Sequence, residues 1–409
     1  MDILSSLQDK MQWQRFYRHK TENDNLPAKE TAALESFIEG EHYRPLAAKI
    51  AEGTPFAPPR RAAISKMHSE KKRIVYIYSP EENTVLKFLT YLLQRKYDHL
   101  FAPCLYSFRP GIGVRHAIGR LMSAKGIQKM WSYKVDISDY FNSIPIDRLL
   151  PILHEALADE PALFRFLANT LKDPLVNDGG KIVEDSKGIM AGTPVSTFLA
   201  NLYLSSLDWD FSQENRLYAR YSDDIIIFAP TQAQLEQDIM RIHAALRDAG
   251  LSINPKKEQR TAPGERWVYL GFSCQNGRID VAPASIQKLK GKMRRKARAL
   301  MRWKDRKRAT GVNAAKAFIR VFNRKLFENP IDHELTWTRW YFPLINTTES
   351  LHTIDLYCQS CIRYLATGKH TKAAYNFRYE DMKALGYVSL VGRYYAHRRA
   401  DDISEEAVD

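Results

Sequence analysis

The spacing of hydrophobic and polar residues predicts helices toward both ends of the chain and a mixed region at its centre. Residues 1–70 show helical spacing broken by loops, and the chain is again mostly helical after Pro283. Further helices are predicted at 85–97, 114–122, 146–171, 192–207 and 235–249. Strands are predicted at 71–78, 130–137, 218–229 (as two strands), 251–254, 267–273 and 278–281. This order favours an α+β fold with an antiparallel sheet and helices on one face.

Length and composition restrict the protein class. At 409 residues, 44% hydrophobic and 26% charged, the chain is expected to form two or three packed globular subdomains. Without a run of about 18 apolar residues or an apolar leader, we expect neither a membrane partner nor secretion. Four cysteines cannot build a disulfide scaffold, which favours the cytoplasm. The tail DDISEEAVD is predicted to be disordered.

The charge balance indicates a polyanionic partner. Lys and Arg outnumber Asp and Glu by 61 to 47, a net charge of +14, which favours nucleic acid over a membrane surface. Residues 285–308 contain twelve basic residues against one acid, interleaved with apolar residues. This pattern is typical of a helix that buries one face and follows a phosphate backbone with the other, although an ordinary solvated face is the alternative. The candidate contacts are Lys292, Arg295 and Arg298.

Three acids stand out in the apolar centre of the chain. Asp136 ends one predicted strand, and Asp223 and Asp224 occupy the tip of a predicted hairpin. An Asp-Asp pair in a turn is usually only a turn. Acids at the ends of apolar strands, however, carry a costly buried charge unless cations neutralise them. Two Mg²⁺ ions would do so, and such a pair can hold the attacking and leaving oxygens of a phosphoryl transfer.

Seven ordered motifs across residues 70–275 resemble those of reverse transcriptases. Tyr221-Ser222-Asp223-Asp224 resembles their Tyr-x-Asp-Asp box. Four further segments resemble the other palm motifs of these enzymes: KVDISDYFNSI (134–144), GIMAGTPVSTFLANLYL (188–204), GLSINPKKEQR (250–260) and YLGF (269–272), which resembles the primer grip. KKRIVYIYSPEENTVLKFL (71–89) and LYSFRPG (105–111) resemble the finger motifs of bacterial enzymes related to group II introns and retrons. One four-residue box is weak evidence, whereas the ordered set is specific.

The resemblance implies a right-hand polymerase fold. Residues 1–130 would form an N-terminal extension and fingers. Residues 131–283 would form the palm with the catalytic motifs and an inserted part of the fingers, and residues 284–409 a helical thumb and C-terminal domain.

The resemblance also implies catalytic roles. Asp136 and Asp223 would bind two Mg²⁺ ions, Asp224 would support the ions or the primer end, and the carbonyl of Ile137 would complete one coordination sphere. Lys257 matches a lysine that would donate a proton to the leaving pyrophosphate. An ordinary surface lysine remains the alternative at that position.

Substrate-binding roles follow in the same way. Phe141 matches an aromatic gate that excludes a ribose 2′-hydroxyl, which would make deoxynucleotides the substrate; a plain core aromatic is the alternative. Lys71 or Lys72, with Arg73, would bind the triphosphate through the geometry that arginine offers phosphate, unless this strand edge is only solvated. Arg109 would either contact phosphate or have a structural role in its loop.

Three residues of the second palm motif would shape the floor under the incoming base and the template: Gly192, Pro194 and Ser196. Many relatives have Gln where this chain has Ala191, and Pro where it has Thr197. These departures leave the nucleotide preference open.

Other aromatic and cysteine positions are less specific. Tyr221 would contact nucleic acid. The aromatic residues in 337–342 and 394–395 are expected to be core, with base stacking or a tyrosine primer as alternatives. Cys358 and Cys361 form a lone CxxC pair, for which zinc is not expected.

The segment LGYVSLVGRYY (385–395) resembles the C-terminal part of some bacterial reverse transcriptases of antiphage systems. We therefore expect an enzyme that copies an RNA template, a dedicated noncoding RNA, into DNA during antiphage defence. It would act with a second reverse transcriptase or as a homo-oligomer, or without either. A retron or intron-derived reverse transcriptase, a template-independent nucleotidyl transferase and a non-enzymatic RNA-binding scaffold remain alternatives.

Overall fold

The structure, a computed structural model, describes residues 2–23, 26–65, 72–186, 188–327, 336–369 and 371–406. These residues belong to two compact units, Met1–Pro263 and Gly264–Asp409. No helix within the described ranges is long and apolar enough to cross a membrane.

The first unit begins with four helices: α1 (Ile3–Gln8), α2 (Lys10–Asn23), α3 (Ala28–Glu39) and α4 (Tyr43–Glu52). The indole of Trp13 is fully buried at their centre, 4.9 Å from the ring of Tyr43 and 4.3 Å from that of Phe88. Aromatic contacts of this kind add to the stabilisation that burial provides. The prediction of helices in this region is confirmed for these segments.

The rest of the first unit alternates strands and helices. In chain order its elements are β1 (Arg60–Ser65), β2 (Lys72–Ile77), α5 (Pro80–Lys96), α6 (Val114–Met122), β3 (Trp131–Asp136), α7 (Tyr140–Ser143), α8 (Ile146–Ala156), α9 (Pro161–Lys172), β4 (Leu175–Asp178), β5 (Lys181–Glu184), α10 (Ser196–Tyr203), α11 (Ser205–Gln213), β6 (Leu217–Tyr221), β7 (Asp224–Ala229), α12 (Gln232–Asp248) and β8 (Gln259–Thr261).

Two four-stranded sheets organise these elements. The central sheet has the order β6-β7-β3-β8 with every neighbouring pair antiparallel, and helices α11 and α12 pack against it. The second sheet has the order β2-β1-β4-β5, in which β1 and β4 are parallel. Both β3 and β7 are central and mostly buried: β7 is apolar after Asp224, whereas β3 alternates apolar residues with Ser132, Lys134 and Asp136.

The second unit is mostly helical. A three-stranded sheet of β9 (Trp267–Tyr269), β10 (Phe272–Gln275) and β11 (Arg278–Val281) precedes α13 (Pro283–Lys307) and α14 (Gly311–Leu326). The chain then forms α15 (Trp337–Tyr341), α16 (Glu349–Thr367), α17 (Tyr379–Ala384) and α18 (Leu390–Glu406). Helices α13, α14 and α16 pack against one another through apolar faces.

The expected fold class, α+β with an antiparallel sheet and a helical C-terminal region, is confirmed. The predicted palm, residues 131–283, spans both units because β9–β11 form their own sheet instead of joining the central one. The division into fingers, palm and thumb stays a prediction.

Several local expectations were wrong. Residues 146–171 form two helices instead of one, since Pro161 begins a new helix at a position where proline is favoured. Residues 251–254 form only an isolated bridge, between Ile253 and Ile137, and the strand lies at β8 instead. The short strands β1, β4 and β5 were missed. The tail was expected to be disordered, but α18 continues through Glu406; residues 407–409 lie outside the described ranges.

Candidate active site

The three predicted acids lie together at one end of the central sheet. Asp136 is directly opposite Asp224 in the antiparallel ladder of β3 and β7, a relationship that places their Cα atoms about 4.5–5.5 Å apart. Asp223 is in the turn that joins β6 to β7, and its carbonyl accepts a hydrogen bond of 3.0 Å from the backbone N–H of Ile137. Asp136, the last residue of β3, therefore lies beside the tip of the hairpin formed by β6 and β7.

The turn before Asp223 has a strained backbone that its neighbours hold in place. Ser222 has a φ of +58°, in the left-handed region where a two-residue hairpin usually has glycine. The backbone N–H of Ser222 donates to Oγ of Ser107 at 2.8 Å, and its carbonyl accepts from Nη1 of Arg220 at 3.2 Å. Such strain persists only where surrounding contacts determine the conformation, which is common at functional sites.

Sequence reasoning missed the ion pair that supports this turn. Arg220, in β6, and Asp208, in α11, are both fully buried, and Nη2 of Arg220 lies 2.6 Å from Oδ2 of Asp208. The hydroxyl of Tyr218 donates to the same carboxylate at 3.0 Å. The available signal was an arginine at an inward position of an otherwise apolar strand, because such a charge requires a buried partner.

Burial and mutual repulsion raise the pKa of two carboxyl groups of the site, those of Asp223 and Asp224. Burial, together with the charges of Asp224 and Asp136, raises the pKa of Asp223 to about 6. Burial also raises the pKa of Asp224, although Lys134, 3.7 Å from its Oδ1, opposes this change. The site therefore concentrates negative charge that a cation would stabilise.

Lys257 lies at this site. It ends a 3₁₀ turn, Pro255–Lys257, and its Nζ is 2.6 Å from Oδ2 of Asp136. Burial favours the neutral amine, but the hydrogen bond and the charges of Asp136, Asp223 and Asp224 outweigh it and raise the pKa of Lys257. Its ammonium group is thus protonated at neutral pH and partly exposed, as a proton donor requires.

The donor set fits divalent metal ions in its chemistry. Within the described ranges, no group of three His, Cys, Asp or Glu side chains is already arranged to hold a metal. The carboxylate of Asp136 is instead paired with Lys257, whose ammonium supplies the positive charge. Three neighbouring carboxylates, beside the backbone carbonyl of Ile137, are the oxygen donors that Mg²⁺ prefers.

Phe141, the predicted sugar gate, follows Asp136 on the short helix α7. Its ring is half-buried and is 6.4 Å from that of Phe108 in an edge-to-face arrangement. Phe108 is in turn 6.3 Å from the ring of Tyr221. The site therefore has a row of three aromatic rings at the carboxylates, and the gating role of Phe141 stays a prediction.

The loop of the second palm motif packs against strand β2. The backbone N–H of Tyr76 donates to the carbonyl of Ala191 at 2.8 Å. Gly192 has a φ of +100°, and a Cβ there would lie 3.0 Å from Cβ of Val75, so the close approach requires glycine. The hydroxyl of Ser196 is fully buried and bonds within the loop, including to the carbonyl of Met190 at 2.8 Å.

The Ser196 hydroxyl therefore fixes the loop from within, and its role under a nucleotide stays a prediction. Pro194 lies in the same loop, immediately before α10, and its carbonyl accepts from the hydroxyl of Thr197 at 2.8 Å. The loop thus packs against strand β2, an arrangement that is compatible with the predicted floor under a substrate.

The finger residues are placed differently from one another. Lys72 and Arg73 are exposed on β2, and the described ranges contain no ion-pair partner for either; Lys71 lies outside the described residues. Arg109, by contrast, binds both carboxylate oxygens of Asp98, at 2.8 and 2.9 Å, and two backbone carbonyls. Its side chain is only 7% exposed, so the geometry supports the structural alternative and not a phosphate contact.

In the second unit, α13 has one apolar and one basic face. Leu289, Met293 and Leu300 are buried. Lys292, Arg295 and Arg298 are exposed at spacings of three residues, on the same side of the helix as three more exposed cations: Lys288, Arg302 and Arg306. The stripe from 288 to 306 extends about 27 Å along the helix.

Of the aromatic residues at 337–342 and 394–395 that were expected to be core, three are buried, and Trp337 and Trp340 are half-buried. Tyr341 and Phe342 are buried, and the ring of Tyr341 is 5.1 Å from that of Phe272. The hydroxyl of the buried Tyr394 donates to a backbone carbonyl at 2.8 Å, whereas Tyr395 is exposed.

A family model described as reverse transcriptase (RNA-dependent DNA polymerase) matches residues 64–274, which is more than half of the chain. The matched region contains the three acids, the two hairpin strands and Lys257.

Two curated relatives share part of this region. The chain is 34% identical over 158 residues to an uncharacterized 91 kDa protein in the cob intron of Schizosaccharomyces pombe, covering 37% of this chain and 18% of that protein. It is 28% identical over 155 residues to a putative COX1/OXI3 intron 2 protein of Saccharomyces cerevisiae, again covering 37% and 18%. The match thus spans about a fifth of each relative's length.

Among solved structures, apo telomerase from Candida tropicalis aligns with a TM-score of 0.48 and 9% identity, over 81% of this chain and 59% of that one. Its form truncated from the C-terminal domain aligns with a TM-score of 0.44 and 11% identity, over 55% and 56%.

Proposed function

The chain belongs to the reverse transcriptase family, and from this premise we propose that it is an RNA-directed DNA polymerase that adds deoxynucleotides to a primer end. The observation that carries the proposal is the convergence of Asp136, Asp223 and Asp224 at one end of the central sheet. A retired polymerase fold acting only as an RNA-binding scaffold would have no electrostatic reason to keep three neighbouring acids.

Asp136 and Asp223 would hold two Mg²⁺ ions, with Asp224 and the carbonyl of Ile137 completing the oxygen donors. When bound, Mg²⁺ makes a primer hydroxyl more acidic and neutralises the charge of the triphosphate. Binding would require Lys257 to leave Asp136, which frees its Nζ to give a proton to the leaving pyrophosphate. The three acids would orient the reacting groups, and most of the catalysis of phosphoryl transfer depends on this orientation and on electrostatic stabilisation.

The nucleotide would lie between the finger strand and the loop under it. Lys72 and Arg73, exposed and free of ion pairs within the described ranges, would bind the triphosphate. Phe141 would exclude a ribose 2′-hydroxyl, and the loop containing Gly192 and Pro194 would form the floor. Tyr221 would contact the primer strand beside Asp223.

The second unit would bind the template–primer duplex. Residues 264–409 contain 27 Lys and Arg against 15 Asp and Glu, so they hold twelve of the fourteen net positive charges. The basic stripe of α13 is the thumb surface in this proposal, with Lys292, Arg295 and Arg298 on phosphates. The division into fingers and extension (1–130), palm (131–283) and thumb with C-terminal domain (284–409) is part of the same proposal.

The template is proposed to be a dedicated noncoding RNA, and the biological setting is proposed to be antiphage defence. The protein would act alone, with a second reverse transcriptase or as a homo-oligomer. The support for this setting is the resemblance of residues 385–395 to the C-terminal part of antiphage reverse transcriptases. In the structure this segment is fixed by hydrogen bonds from Tyr387, Ser389 and the backbone N–H groups of Leu390 and Val391 to the buried carboxylate of Asp355. The curated relatives, named for introns, instead favour an intron-derived reverse transcriptase as the second candidate.

Primer extension on a defined RNA template tests the polymerase proposal. The double variant Asp223→Asn with Asp224→Asn should fold and bind RNA but incorporate no nucleotide, because positioning of the metal ions is lost. Omitting the template separates copying from template-independent transfer, since only a nucleotidyl transferase would remain active. Incorporation by the double variant near the parent rate would defeat the assignment of the acids.

Sequencing the nucleic acid that copurifies with the parent protein, compared with that of the double variant, would identify template and product. New DNA complementary to one RNA is the expected result. Plaque counts on a bacterial host expressing either form then test defence: protection by the parent alone supports it, and equal plaque counts contradict it.

A further inference from the structure

Phe108 joins the predicted sugar gate to the carboxylate hairpin. It lies in the loop after Leu105, and its half-buried ring is 6.4 Å from that of Phe141 and 6.3 Å from that of Tyr221. Phe141 follows Asp136 along the chain, and Tyr221 precedes Asp223. The ring of Phe108 thus lies between those of Phe141 and Tyr221.

The backbone of Phe108 is strained. Its φ is +53°, in the left-handed region, where a bulky aromatic residue is a genuine outlier. Glycine would adopt this conformation at no steric cost, and asparagine tolerates it better than other residues with a Cβ. The presence of phenylalanine therefore indicates that the ring itself contributes something that a better-suited turn residue could not.

The residues on either side fix this conformation. Oγ of Ser107 donates to Oδ1 of Asn201 at 2.9 Å and accepts from the backbone N–H of Ser222 at 2.8 Å. The amide of Asn201 donates to the carbonyl of Ser107 at 2.7 Å. On the other side, Arg109 is bound to Asp98 through two nitrogens.

A strained backbone conformation that the neighbouring residues hold in place is typical of residues at functional sites. The bond from Ser222 to Ser107 ties the loop to the turn that contains Asp223, so the ring of Phe108 keeps its place relative to the acids. Edge-to-face aromatic contacts are directional, so the contact with Phe108 favours one orientation of the Phe141 ring.

We propose that Phe108 is a positioning residue for nucleotide selection: its ring holds Phe141 in the orientation that excludes a ribose 2′-hydroxyl and couples that gate to Tyr221. The proposal rests on the proposed function of Phe141 as the gate. Phe108 does not contact the substrate in this scheme; it acts through the orientation of a neighbouring ring.

Single-nucleotide incorporation measures the effect. The full-length protein extends a DNA primer on a synthetic RNA template with either dATP or ATP, which differ only in the 2′-hydroxyl. The readout is the ratio of kcat/KM for dATP to that for ATP. Phe108→Gly, which suits the backbone but removes the ring, should lower this ratio about tenfold, mainly through better use of ATP.

Two further variants and a control keep the result interpretable. Phe108→Tyr keeps the ring and should preserve the ratio, whereas Phe108→Asn, which also suits the backbone, should lower it as Phe108→Gly does. Phe56→Ala removes a buried ring that contacts Tyr78 and Phe166 away from the acids. It should lower the melting temperature without changing the ratio.

Phe141→Ala separates the two levels of the proposal. Loss of discrimination in Phe141→Ala, with a partial loss in Phe108→Gly and Phe108→Asn, supports both. An unchanged ratio in Phe141→Ala would overturn the gate and the inference together. Loss in Phe141→Ala with an unchanged ratio in both Phe108 variants overturns the inference alone.

Discussion

The guanidinium of Arg220 donates hydrogen bonds to the carboxylate of Asp208 from Nε and Nη2, at 2.8 and 2.6 Å, and neither side chain is exposed to solvent. A third nitrogen of the same group donates to the carbonyl of Ser222, in the turn that contains Asp223. The cost of burying both charges offsets much of their attraction, but removal of one partner leaves the other uncompensated. The pair therefore supports the turn from inside the protein.

Asp208→Asn should destabilise the protein by about 3–5 kcal/mol, because the change leaves the buried guanidinium without an anionic partner. The free energy of unfolding from urea titration measures this loss. Activity should fall as well, since the carbonyl of Ser222 loses a fixed donor. Asp210→Asn, an exposed position on the same helix, is the matched control. Equal stability of the two variants would show that the ion pair does not support the fold.

The acids could be predicted from the sequence because their signal is local. An Asp at the end of an apolar strand and an Asp-Asp pair at a hairpin tip are visible in the residue pattern, and the motif order supplied their relation. The partner of Arg220 could not be predicted, because Asp208 lies on a helix whose position against the sheet depends on tertiary packing.

The errors have a similar physical origin. Strands β4 and β5 have only four residues each, too few for a periodic pattern, and β5 is wholly exposed. For Arg109 the sequence left a phosphate contact and a structural role in the loop both open, and the pairing with Asp98 that favours the structural role exists only in the folded loop. Lys72 and Arg73 are exposed on β2, so their predicted binding of phosphate involves a substrate and not a contact within the protein.

Asp223→Asn should stabilise the metal-free protein at high pH. The pKa of Asp223 in the folded state is about 6, above its ordinary value of 3.8. Its favourable contribution is therefore complete below about pH 3.8 and is lost as the pH rises through 6. At pH 8 the buried charge costs about 1–3 kcal/mol, which the amide avoids.

Thermal melts in a chelator at pH 5 and pH 8 measure this difference. The advantage of Asp223→Asn over the parent should grow from the lower to the higher pH, and added Mg²⁺ should raise the melting temperature of the parent more than that of the variant. Asp248→Asn, at an exposed position, should show neither trend. A constant difference between Asp223→Asn and the parent at both pH values would contradict the raised pKa.

Lys257→Met should lower kcat about 100-fold while changing KM little, because a proton donor to the leaving group acts in the transition state. Its adjacent exposed neighbour provides the control: Lys256→Met removes the same charge from the same turn but has no contact with the acids in the described ranges. Single-turnover incorporation, which isolates the chemical step, is the measurement. Equal rates in the two variants would make Lys257 an ordinary surface lysine.

The basic stripe of α13 should control duplex binding through counterion release. Replacing Lys292, Arg295 and Arg298 with alanine should weaken binding of an RNA–DNA duplex. Each lost phosphate contact should also lower the slope of log Kd against log salt by about 0.9. Fluorescence anisotropy at several salt concentrations measures both quantities. The matched control replaces three arginines at the surface, of which Arg241 is half-buried, that are already paired with glutamates: Arg44, Arg241 and Arg278. Because the control removes the same net charge, a similar loss in both triple variants would mean that overall charge, and not this helix face, binds the duplex.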